Sequence, residues 1–168
     1  GDEFGPSGLK WRGVALDTFD NKSWSRTRAA AKEPRLRSER DIIQIDFPRA
    51  RGSLTTQTIY LEPLDTPVLF ALPRPVIVQG NFPVLYRDKH GAISFNRIGE
   101  RISYKVLSDR SLPSPERLRR DRAEYPADVG NYLQLPADLD HRIAELGLQL
   151  TADSRNRYDA ALGVESYL

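Results

Sequence analysis

At 168 residues, 39% apolar and 29% charged, with 12 prolines and 11 glycines, the chain is long enough to bury one core and is composed like a globular protein of short strands and many turns. It contains no cysteine and two histidines, His90 and His141, which excludes thiolate nucleophiles, disulfides and any cysteine- or histidine-rich metal site and leaves the redox compartment open. Twenty-five basic against 23 acidic side chains leave a formal charge of +2, weak evidence for a polyanionic partner, and no run reaches the roughly 18 apolar residues that span a bilayer.

In chain order, Gly1 to Gly8 reads as a loop, and the start lacks the basic and apolar regions of a secretory signal. Trp11 to Phe19 reads as a strand with apolar positions on both faces, closed by a turn at Asp20-Asn21, where asparagine suits left-handed backbone. Ser25 to Arg40 is polar and basic, without an apolar period, and is expected to be a mobile surface loop. Strand signals follow at Asp41–Phe47, Thr55–Glu62, Thr66–Ala71, Pro75–Gln79, Pro83–Arg87, Ala92–Phe95 and Arg101–Ser108. Ile59 and Leu61 share one face of the second of these, and Ile102, Tyr104 and Val106 one face of the last, the alternation of half-buried antiparallel strands. Asp88-Lys89-His90-Gly91 joins two strands as a hairpin with His90 at its tip, its glycine free to take positive φ.

After Ser108 the character changes. Leu112 to Pro115 reads as a linker, Glu116 to Glu124 as a short basic helix, and Tyr125 to Pro136 as an irregular crossing. Leu139, Ile143, Leu146 and Leu150 recur at helical spacing behind Asp138 or Asp140 as N-cap, and a second helix begins after Asp153-Ser154. The expected fold is mainly β: an antiparallel β-sandwich-like domain over 9–110, barrel closure being the alternative, then a linker with a short helix over 111–137 and a C-terminal α-helical segment over 138–168.

Trp11 to Ser25 resembles, at almost every position, a W-R-G-x-x-L-D-x-[FY]-D-G-x-x-W-S segment of bacterial membrane proteins with a transglutaminase-like, papain-like cysteine protease domain; Asn21 departs from the usual glycine. Tyr132-Leu133-Gln134-Leu135-Pro136, Leu139 to Ile143, Leu150-Thr151 and Tyr158-Asp159-Ala160-Ala161 are similar to the same family, as are Gly99 to Val106 and Ser114-Pro115. The resemblance implies an extracytoplasmic accessory region of an integral membrane protein, placed just before the catalytic core, with 138–168 beginning that core. It implies as partners the downstream core of the same chain, a peptide or cell-wall substrate and the membrane through flanking spans; nucleic acid is not expected, since interleaved aromatics and a recognisable nucleic-acid module are both missing from the sequence. The family's Cys-His-Asp acyl-transfer chemistry would lie beyond Leu168, so no catalytic residue, metal or cofactor is carried over, and this segment is not itself expected to be an enzyme.

Two groups of residues are candidates for binding. Trp11 and Trp24 suit a glycan or peptide surface, although large aromatics more often build cores. Arg26, Arg28, Arg35 and Arg37 suit an anionic surface, against the commoner reading of a solvated loop. Asp17 and Asp20 invite an acid–base reading, but aspartates beside a turn commonly bond their own backbone. His90 and His141 read as surface histidines, and self-association through an exposed sheet edge is a third, weaker functional class.

Overall fold

A computed structural model describes residues 10–26, 32–38, 40–49, 53–96 and 99–168. The chain divides into two compact units: Gly1–Ala15 with Arg28–Ser111, and Leu16–Thr27 with Leu112–Leu168.

Among the described residues, every strand pairing in the first unit is antiparallel. One four-stranded sheet runs β4 (Ile42–Gln44), β7 (Pro75–Gly80), β10 (Ile102–Asp109), β5 (Leu54–Leu61); the other runs β3 (Glu33–Leu36), β8 (Val84–Arg87), β9 (Ile93–Ser94), β6 (Val68–Leu69). The longest pairing, β10 with β5, runs from Ile102 opposite Leu61 to Asp109 opposite Leu54. That register is fixed by the alternation read in the sequence: Ile59, Tyr104 and Val106 are buried, while Tyr60, between Ile59 and Leu61, is exposed. A slip of one residue would turn the apolar set to water.

The two sheets share one core. Ile43, Ile59, Val78, Tyr104 and Val106 come from the first, Leu69, Leu85 and Ile93 from the second, in a sandwich-like arrangement. Burial of each such aliphatic side chain stabilises by roughly 1.5–3 kcal/mol. Phe82 packs edge-on against Phe95 at 5.4 Å and Tyr104 at 6.0 Å, and Gly80 admits that ring, since a Cβ there would stand 2.7 Å from it. Two buried polar side chains of this core, Tyr104 and Gln57, are partnered. The Tyr104 hydroxyl donates to Phe70 O at 2.9 Å and accepts from Phe70 N at 3.0 Å, and burial pushes its pKa up to about 12. Gln57 donates to Thr55 O at 3.1 Å and accepts from Leu72 N at 2.9 Å.

Two sequence expectations are corrected here. Ser25–Arg40 is not all loop, because Glu33–Leu36 pairs with Val84–Arg87. The strand lies at the sheet's edge, where Pro34 is tolerated and no apolar period is required. Within Trp11–Phe19 only Thr18–Phe19 is a strand, β1, while Arg12 makes a single antiparallel bridge to Ala71. The turn Asp88–Gly91 forms as expected, with Gly91 at φ 83° and its N–H donating to Asp88 O at 2.9 Å.

In the second unit β1 pairs with β2 (Trp24–Ser25), and three helices follow: α1 (Pro115–Arg120), α2 (His141–Thr151) and α3 (Arg157–Tyr167). Each begins on a side-chain cap, from Ser114, Asp140 and Asn156. A 3₁₀ turn over Ala127–Tyr132 lies between α1 and α2. Gly163 of α3 passes so near α2 that a Cβ would stand 2.7 Å from Leu150 O. Arg119 of α1 pairs with Asp159 of α3 at 2.8 Å and lies over the Tyr158 ring at 5.3 Å. Asn21, at φ 71° in the β1–β2 turn, donates through its side-chain amide to Asp138 O at 3.2 Å, so asparagine supplies the left-handed turn and a tie that glycine would lack.

Candidate functional site

At one end of the first unit the chain leaves its strands together: β4, β8 and β10 end there and β7 begins there. Apolar residues fill the strand interiors, so the charges collect just past the strand ends. The result is a polar groove of about 370 Å³. Five cationic side chains line it, Arg12, Arg49, Arg74, Arg87 and Lys89, against two carboxylates, Asp46 and Asp109.

Both carboxylates are engaged. Asp109 is buried, accepts backbone N–H groups from Arg49 at 2.8 Å and Ser111 at 2.7 Å, and faces Arg74 at 4.0 Å. Those backbone donors, with Arg74 as a smaller cause, hold its pKa at about 2. Asp46 pairs with Arg87 at 3.0 Å. Two guanidinium groups are fixed by carbonyls, Arg12 donating to His90 O at 2.5 Å and Arg74 to Ser111 O. Arg74 also holds a positive φ of 60°, a conformation a non-glycine residue keeps only where its surroundings impose it. Arg49 and Lys89 are solvent-exposed.

The binding residues read from the sequence lie elsewhere. Trp11, Arg35 and Arg37 belong to the first unit, Trp24 and Arg26 to the second, and Arg28 lies outside the described residues. None of the described ones lines the groove. Both tryptophans stand on the surface, Trp11 50% and Trp24 58% exposed, so neither builds the core; Trp24 lies against Phe19 with ring centroids 5.0 Å apart. Arg35 pairs with Glu33 at 2.7 Å and Arg37 with Asp41 at 3.1 Å, which offsets part of the charge that makes this stretch look anion-seeking. Asp20 spends its carboxylate on the turn, accepting from Ser23 N at 2.7 Å and Lys22 N at 3.0 Å, and these bonds lower its pKa. His141 is exposed beside Asp140 at 3.6 Å.

The groove residues escaped the sequence reading because they are scattered from Arg12 to Asp109. The signal available was charge clustered at strand ends: Arg74 before Pro75, Arg87 closing its strand, Asp109 after Ser108. Among the described residues no group of three or more His, Cys, Asp and Glu side chains is placed to hold a metal ion, and no helix is long and apolar enough to cross a membrane.

Its fold makes the chain a mainly antiparallel β-protein with C-terminal helices. Residues 4–115, about two thirds of it, match the family described as the TgpA N-terminal domain, and the chain belongs to that family. The membership associates it with transglutaminase-like proteins, as an accessory N-terminal region. No curated protein and no solved structure matches it.

Proposed function

We propose that this chain is a non-catalytic, extracytoplasmic accessory region of a membrane-bound transglutaminase-like protein whose acyl-transfer or amide-hydrolysing core lies elsewhere in the same polypeptide. The match of residues 4–115 to the TgpA N-terminal domain carries the reading. Papain-type chemistry needs a thiolate to attack an amide and an imidazole to take the proton, and this sequence holds no cysteine. The second unit adds support. No residue of α1, α2 or α3 is fully buried, and α2 exposes Ile143 and Leu148, apolar surface that a following core domain would cover. In this reading the β unit orients the core and shapes the approach of a peptide or cell-wall substrate.

The test is to express the natural reading frame carrying this segment and measure amine incorporation into a glutamine peptide in membrane and soluble fractions. Activity in the membrane fraction that is lost on replacing a cysteine outside this segment is the expected result. A reading frame without cysteine, or activity from the 168-residue chain alone, overturns it.

The exposed Trp24, packed on a half-buried Phe19, favours a second reading, a module that binds cell-wall glycan or peptide through an aromatic surface. A tryptophan fluorescence change on titrating glycan fragments, lost in Trp24→Ala, would support it; an unchanged spectrum would count against it.

A further inference from the structure

We propose that the groove at the strand ends of the β unit binds a phosphate group carried on a small polar body, such as a glycerol or sugar phosphate. The inference goes beyond the accessory role above and does not depend on it.

Charge makes the first argument. Four guanidinium groups, Arg12, Arg49, Arg74 and Arg87, face two carboxylates, and both carboxylates are already matched, Asp46 by Arg87 and Asp109 by two backbone N–H groups and Arg74, which leaves Arg12 and Arg49 beyond them. The groove therefore has positive charge beyond what its own acids neutralise. A phosphate monoester carries about −1.5 to −2 at neutral pH and suits such an excess better than a single carboxylate. The planar guanidinium fork also matches phosphate oxygens in geometry as well as charge.

Preorganisation makes the second. Carbonyls at His90 and Ser111 hold Arg12 and Arg74, so a ligand would not have to bear the cost of ordering those two side chains. The constrained backbone of Arg74, at φ 60°, lies in the same wall.

Size and lining set the ligand class. A groove of about 370 Å³ is in the range of small-molecule sites, larger than a lone phosphate needs. Phe47 and the His90 imidazole are the rings lining it, too few to make a stacking platform for successive bases. Another hollow, about 310 Å³ around Tyr60 and Lys105, has one cation in its lining and makes no comparable site.

The experiment is calorimetric titration of the 168-residue chain with glycerol phosphate at fixed ionic strength, alongside sedimentation with phosphatidic acid vesicles. Three proteins are compared: wild type, the double variant Arg49→Ala, Lys89→Ala, and Arg101→Ala. The first variant removes two exposed cations of the groove; the last removes one outside it, where Arg101 pairs with Glu62 at 2.8 Å. Far-UV circular dichroism checks that all three keep the fold. Saturable binding of glycerol phosphate that weakens at least about tenfold in the double variant and not in Arg101→Ala is expected, since a charge-assisted hydrogen bond is worth about a factor of ten or more. Binding to the vesicles alone, with the same pattern among variants, keeps the site and assigns the phosphate to a lipid headgroup. Heats matching those of added chloride and no vesicle binding, an unaffected double variant, or equal loss in Arg101→Ala overturns the proposal.

Discussion

Each of the two units is ordered internally by different physics. In the β unit the aliphatic side chains of two sheets meet in one dry core, and Leu85, Val78 and Ile43 are each 0% exposed. In the helical unit no helix buries a residue fully; its order comes from caps, from Arg119 on Asp159 and Tyr158, and from Arg157 lying 4.3 Å over the Tyr125 ring. Exposed ion pairs are individually worth ~0–1 kcal/mol, whereas a buried aliphatic residue is worth several times that. The β unit should therefore behave as a domain in its own right, and the helical unit as the softer part.

Breaking the core should give the largest effect. Leu85→Ala removes a fully buried side chain between sheets and is expected to cost about 2–5 kcal/mol in urea denaturation followed by tryptophan fluorescence. Leu148→Ala on α2, where the side chain is 72% exposed, should stay within about 0.5 kcal/mol. Equal losses would erase the contrast.

Within the helical unit a pair of glycines sharpens it. Alanine normally gains about 1 kcal/mol over glycine inside a helix. At Gly147 nothing lies within 4 Å of an added Cβ, so Gly147→Ala should be stabilising. At Gly163 the Cβ would stand 2.7 Å from the backbone carbonyl of Leu150, which cannot rotate away. Gly163→Ala should instead cost ~1–3 kcal/mol and pull α3 from α2, read as faster amide exchange in both helices.

The same division explains what the sequence made legible. Strands β5 and β10 announce themselves because one face is dry and one wet, so burial writes itself as alternation through Ile59, Leu61, Ile102, Tyr104 and Val106. Helix α2 is legible from its period and from Asp140, which does cap it. Strand β3 is not, because an edge strand with Glu33, Pro34 and Arg35 buries little and so leaves no pattern. Size predicts burial on average, but Trp11 and Trp24 lie outside the core. The groove was illegible since its charges belong to five separate stretches and become neighbours only when the two sheets close.

The groove also links the β unit to pH. Asp109 is held at about 2 in the folded protein, below the ordinary carboxylate value of 3.8, by hydrogen bonds that only the folded chain supplies. A depressed pKa contributes stability that is fully present above the unfolded value and is lost as pH falls through the folded one. Urea midpoints should thus fall between about pH 4 and pH 2, in a window where Asp109→Asn, already lacking the charge, shows a shallower slope. Parallel slopes would place the acid sensitivity in other carboxylates.

The most local effect lies in a single turn. Asn21 sits at φ 71°, where a Cβ is disfavoured but asparagine is tolerated better than other side chains. Asn21→Ala should cost ~1–2 kcal/mol through that backbone alone, together with the loss of the amide bond to Asp138 O. Asn21→Gly relieves the backbone and loses only the exposed bond, so the two effects oppose and the net change should be a few tenths of a kcal/mol at most. If glycine proved as damaging as alanine, the hydrogen bond to Asp138 rather than the turn would be what holds the β1–β2 hairpin in the helical unit. Amide exchange of Lys22 and Ser23, both bonded to Asp20, distinguishes the two: they stay protected in Asn21→Gly if the turn survives on its own.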